Sequence, residues 1–152
     1  RQPTRSEEMV KLKNRYALIE ILPGPSGSTA GITPGHVFVA VLEQVTRIHG
    51  DYGAGAVRAS LHVKVVDGDV SVLRLPAECG HLLLSALPFV RHINKEPITV
   101  RLLFCGRSIR SCEKRLLAQR RKELSDAIAA AETPGTRQSI VDSIQRIESA
   151  TN

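Results

Sequence analysis

Asp67-Gly68-Asp69 stands between two apolar runs, and this hairpin signal constrains the fold more than any other feature of the chain. Before it, Val57, Ala59, Leu61, Val63 and Val65 alternate with Arg58, Ser60, His62 and Lys64, the period of a strand with one buried face. After it, Val70 to Leu75 reads as the returning strand. Asp-Gly is a favoured start for the tight turn that joins such a pair.

The flanking elements follow from period and punctuation. Tyr16 to Leu22 is a short apolar run that ends at Pro23, hence a strand. Pro23 to Gly35 is a Gly/Pro/Ser loop. Thr33 is placed to cap a helix whose first residue is Pro34. Val37, Val41, Val45 and Ile48 recur at helical spacing, and Gly50 is expected to close that helix. Pro76 is expected to open a second helix through Leu82, Leu83, Leu84 and Leu87, stopped at Pro88. Ile98 to Cys105 reads as a strand with Ile98, Val100, Leu102 and Phe104 on one side. A basic helix follows, and after Pro134-Gly135 a final helix carries Ile140, Ile144 and Ile147 on one stripe.

The order β-α-β-β-α-β predicts an α+β fold, a ferredoxin-like or RNA-recognition-like sandwich with two appended C-terminal helices. Residues 1–8 read as an added extension. Residues 9–152 read as a single RNA-binding α+β domain, since no repeat or long linker divides them.

Charge points to the partner. From Arg101 to Lys122 eight Arg/Lys residues face one acid, Glu113, a surplus of +7 against +6 for the whole chain, so the remainder is nearly neutral. Such localisation suits a polyanion, because each phosphate contact releases condensed counterions. On a helical wheel Ile109, Cys112, Leu116, Leu117, Leu124, Ala127 and Ala131 share an arc, while Arg110, Lys114, Arg115, Arg121 and Lys122 occupy the rest. Glu113 and Arg120 project into the apolar arc. They are either edge residues that reach past the core or polar contacts with a partner subunit. A second basic cluster, Lys11, Lys13 and Arg15, alternates with Asn14 and Tyr16 before the first strand.

Chemistry of other kinds finds little support. Cys79, Cys105 and Cys112 lack paired spacing, which suits a reducing intracellular compartment, and the five histidines stand singly, so no metal site is expected. No two acids are placed for acid/base work, and the Gly-bearing loop lacks the order of a phosphate cradle. No apolar run is long enough for a membrane span. Aromatic residues are scarce, with no Trp, two Tyr and three Phe, and the strand from Asp69 to Leu75 has none. Stacking of single-stranded RNA across the sheet is therefore not expected, and phosphate and shape contacts to a folded RNA are.

Four blocks carry a resemblance: Met9-Val-Lys-Leu-Lys-Asn-Arg-Tyr16, Arg47-Ile-His-Gly-Asp-Tyr-Gly53, Ser85-Ala-Leu-Pro-Phe-Val90 and Gly106-Arg-Ser-Ile-Arg-Ser-Cys-Glu-Lys114. In this order and at these separations the chain resembles the "processing of precursors, fifth" family, the small protein subunit shared by ribonuclease P and ribonuclease MRP. The resemblance runs from about Met9 to the last helix. It does not explain residues 1–8, the Pro23–Gly35 loop differs from the family's more helical lead-in, and the acidic tail of some animal members is missing.

The resemblance implies a ferredoxin-like, non-catalytic protein that binds no cofactor itself, in a complex where RNA with magnesium cleaves the phosphodiester. It implies a large structured RNA, a barrel-shaped thirty-kilodalton-type protein subunit and other subunits as partners. The substrates would be precursor tRNA or precursor rRNA, in the nucleus and nucleolus. Carried over by position, it implies RNA contacts at Lys11, Lys13, Asn14, Arg15, Arg107, Arg110 and Lys114, to which the basic helix face adds Arg121. Leu82, Leu87, Phe89 and Val90 are a candidate protein interface, or plain core. Two rival readings are a small ferredoxin-like phosphate-binding enzyme of the acylphosphatase kind, using Arg15 and Asn14, and a protein-only scaffold that meets an acidic partner.

Overall fold

The sheet has the strand order β2-β3-β1-β5-β4 with every pair antiparallel. Its strands are β1 (Asn14–Pro23), β2 (His62–Asp67), β3 (Val70–Pro76), β4 (His92–Ile93) and β5 (Glu96–Gly106). The helices are α1 (Pro34–Ser60), α2 (Gly80–Ala86), α3 (Ile109–Ala130) and α4 (Pro134–Thr151). This computed structural model describes residues 13–131 and 134–151. Without the two-residue β4, the order is that of the expected ferredoxin-like sandwich, and α3 and α4 are the two appended helices.

The chain divides into two compact units, one ending at Ser108 and the other beginning at Ile109. In the first unit α1 and α2 cover one face of the sheet. Ala17, Ile19 and Ile21 of β1, Leu73 and Leu75 of β3, and Ile98 and Val100 of β5 meet Val37, Val41, Val45 and Val57 of α1 and Leu83, Ala86 and Leu87 of α2. Alternation along the strands puts these residues on one side. In the second unit α3 packs against α4, and Arg121 reaches Glu148 at 2.9 Å. Ile140, Ile144 and Ile147 lie on the half-buried side of α4, as their spacing implies.

Local signals account for the boundaries. Thr33 Oγ1 accepts from His36 N at 3.3 Å while His36 Nδ1 accepts from Thr33 N at 3.2 Å, a reciprocal cap with Pro34 just inside. Gly68 takes φ 61° in the β2–β3 turn, and Asn94 (φ 51°) and Lys95 (φ 67°) form the two-residue turn of β4–β5.

Four expectations are corrected. Val57–Ser60 is helix, not strand, and the strand begins at His62. Gly50 does interrupt the helix (φ 68°, ψ −165°), but helix resumes at once through the Ala-rich residues 51–60. Gly53, Val57 and Leu61, four apart, supply the buried stripe that the alternating reading assigned to a strand. The run Ile98, Val100, Leu102, Phe104 does not keep to one side. A bulge leaves Leu103 unpaired, so Leu102 faces Ile19 while Phe104 faces Leu18, and neighbouring residues of β1 point opposite ways. Pro76 ends β3; a 3-10 turn over Ala77–Cys79 separates it from α2, and Leu87–Phe89 forms another.

Candidate nucleic-acid interface

Tyr16 pairs with Gly106 across β1 and β5, which brings Arg107 beside the start of β1. A recess of about 340 Å³ results, lined by Lys13, Asn14, Arg15, Tyr16 and Arg107. Its backbone is held from both sides. The Ala77 N–H donates to the Lys13 carbonyl at 2.8 Å, Arg15 pairs with Leu75, and Tyr16 pairs with Arg74. Residues of both parities line the recess, so it lies around the end of the strand and not on one face of the sheet.

The described lining includes three cations and no acid. Lys13 and Arg107 are exposed, and Arg15 and Tyr16 half-buried. Among the described residues none of Lys13, Arg15 and Arg107 forms an ion pair, whereas other cations do. Arg101 is held by Glu20, its in-register neighbour, a residue only 7% exposed. Arg47 pairs with Glu43 at 2.9 Å. A cation already paired has less to gain from a phosphate, because it must first give up its carboxylate.

The expected RNA-contact residues therefore separate. Lys13, Asn14, Arg15 and Arg107 come together. Lys11 lies outside the described residues. Arg110 and Lys114 are exposed on α3 in the second unit. Arg121 is turned to Glu148 of α4. Arg120 is half-buried and lies 3.5 Å from Glu123 of its own helix, an edge-residue geometry. Cys112 is buried, as its place on the apolar arc implied.

The expected protein interface is mostly core. Leu87 and Val90 are 1% and 3% exposed, so their side chains face their own unit, and Leu82 packs partly against the same cluster. Phe89 is the exception at 56% exposure. It borders a second recess, of about 330 Å³, together with Arg91 and His92 and with Glu43 and Arg47 of α1.

His49 of the Arg47–Gly53 block and Ser85 of the Ser85–Val90 block serve a different end. His49 Nε2 and Ser85 Oγ share a hydrogen bond of 2.7 Å that ties α1 to α2. Among the described residues no group of three or more His, Cys, Asp or Glu is placed to hold a metal ion. No described helix is long and apolar enough to cross a membrane. The enzyme reading loses its geometry as well. Arg15 and Asn14 lie at the start of β1 and the Gly-bearing loop beyond its end, roughly 30 Å away at strand rise.

A family model described as the Rpp14/Pop5 family matches residues 15–117. The ribonuclease P/MRP protein subunit POP5 of Homo sapiens is 27% identical over 144 residues, covering 91% of this chain and 88% of that protein. Its counterpart in Danio rerio is 29% identical over 140 residues, with 87% and 83% covered. In fold the chain matches one from the cryo-electron microscopy structure of yeast ribonuclease MRP, with a TM-score of 0.55 at 16% identity, covering 77% of this chain and 94% of that one.

Proposed function

The chain belongs to the Rpp14/Pop5 family, and from that premise we propose that it is a non-catalytic, RNA-binding protein subunit of a ribonuclease P/MRP ribonucleoprotein. The observation that carries the RNA-binding part is the recess, where two basic segments distant in sequence converge with three cations and no acid among the described residues. Fixed cations on a strand end and the strand beside it grip phosphates of a folded RNA. Phosphate contacts fix register and orientation without reading sequence. Phosphodiester hydrolysis in precursor tRNA or precursor rRNA then belongs to an RNA centre with magnesium, and this chain's part is to hold RNA in place.

The recess bordered by Phe89 suits another subunit, the barrel-shaped thirty-kilodalton type. An exposed aromatic beside a recess that Arg91, His92 and the Glu43–Arg47 pair also line has the make-up of an interface anchor. The proposal includes a nuclear and nucleolar location for the protein. Purification of the endogenous protein followed by RNA sequencing tests the assignment. It should recover a large structured RNA of the ribonuclease P or MRP class with protein subunits. Recovery of short unstructured RNAs alone, or of no RNA after a low-salt wash, would favour the protein-scaffold reading.

A further inference from the structure

We infer that the recess at the start of β1 holds one unpaired nucleotide of the RNA, with its base stacked on the Tyr16 ring and its phosphate between Arg15 and Arg107. This rests on the RNA-binding reading above and adds to it a contact that phosphate recognition alone does not need.

His62 pairs with Arg74, Arg74 with Tyr16, and Tyr16 with Gly106. Residues directly opposite one another in an antiparallel sheet share a face. One face at this end therefore carries an imidazole, a guanidinium and a phenol ring in a row, about 10 Å long at the usual strand spacing. The row continues to Gly106, which adds no side chain on that flank, and Arg107 follows it.

A half-buried aromatic stands here in one recess with three cations and no described acid. It combines what a nucleotide offers, a flat apolar base and an anion. The volume, about 340 Å³, lies at the low end for small-ligand sites and suits one nucleotide, not a duplex. Bases inside a duplex already have both faces stacked, so only a bulged, looped or terminal nucleotide can use the ring. Stacking of this kind tolerates any base, since each has a π face. Tyr16 thus supplies the aromatic contact that a search of β3 alone does not find.

The composition of the chain makes the test direct. There is no Trp and the second tyrosine is Tyr52, which is 88% exposed on α1. In the full chain carrying Tyr52→Phe, tyrosine emission reports on Tyr16 alone. Titration with a ten-nucleotide single-stranded RNA should quench that emission saturably, whereas a blunt duplex of equal length should bind with little quenching. By anisotropy of labelled RNA, Tyr16→Phe should bind the single strand within about twofold of wild type. Tyr16→Leu should weaken it by about five- to 150-fold, the range for loss of one base stack. Should Tyr16→Leu fail to fold, the emission titration and Tyr16→Phe decide. Tight single-strand binding with unchanged emission would overturn the stacking inference and leave the electrostatic reading standing. Failure of every RNA to bind at 50 mM salt would overturn both.

Discussion

On the proposed function, replacing Lys13, Arg15 and Arg107 together with glutamate should lower RNA affinity by about two to three powers of ten at 0.1 M salt, and flatten the plot of log K against log salt by about 2 to 3 in slope. The size follows from counterion release, at about 0.9 per phosphate contact for duplex-like geometry and about 0.7 for single strands. These side chains line one recess and, among the described residues, make no ion pair that a phosphate would have to displace. The same reversal at Arg121, which already faces Glu148 at 2.9 Å, should shift the slope by less than one contact. Anisotropy titrations between 50 and 300 mM salt measure both. A triple variant that loses affinity but keeps the wild-type slope would show that the loss is structural.

The second large effect concerns stability. Gly53→Ala should destabilise the first unit by about 1–3 kcal/mol, the scale of overpacking in a well-packed interior. In an ordinary helix the same change stabilises, by roughly 0.5–1 kcal/mol relative to glycine. The sign reverses here because Gly50, at φ 68° and ψ −165°, breaks α1 and sets His49 against the backbone of Gly53. A methyl group at Gly53 would collide with His49 Cβ, the root of a side chain that cannot swing aside without losing Ser85. His49→Ala, which removes only the tie, should cost about 1 kcal/mol. Urea denaturation of both variants checks this. A Gly53→Ala chain at least as stable as wild type would mean that α1 is not bent in this way.

The sequence makes some of this legible and hides the rest for identifiable reasons. The Thr33 cap with Pro34, the Gly68 turn and the order of elements are local, each decided by a few neighbouring residues, and they suffice for the sandwich. Val57–Ser60 misleads because Val57, Ala59 and Leu61 satisfy a period of two while Gly53, Val57 and Leu61 satisfy a period of four. The break at Gly50 hides the second helical segment that decides between them. The bulge at Leu103 leaves no mark in the alternation of apolar residues, so the switch of face after Leu102 can be read only from the pairing.

The candidate site shows the same division. Both basic clusters are visible in the sequence, but the join between them is the pairing of Tyr16 with Gly106, a contact between residues 90 positions apart. Charge counting likewise gives Arg101 and Arg121 the same weight as Arg107, since it cannot see that Glu20 and Glu148 hold them. Within the Arg47–Gly53 block of the family resemblance, His49, Gly50 and Gly53 are scaffold: a tie to Ser85, a helix break and a close approach.

Ultraviolet cross-linking of the assembled ribonucleoprotein, followed by mass spectrometry of this subunit, tests most directly whether the chain meets RNA at the recess formed by the start of β1 and Arg107. Nucleotide adducts should fall on the segment Lys13–Tyr16, with Tyr16 foremost, and on the segment holding Arg107. Adducts confined to other segments, with none at β1 or Arg107, would contradict it.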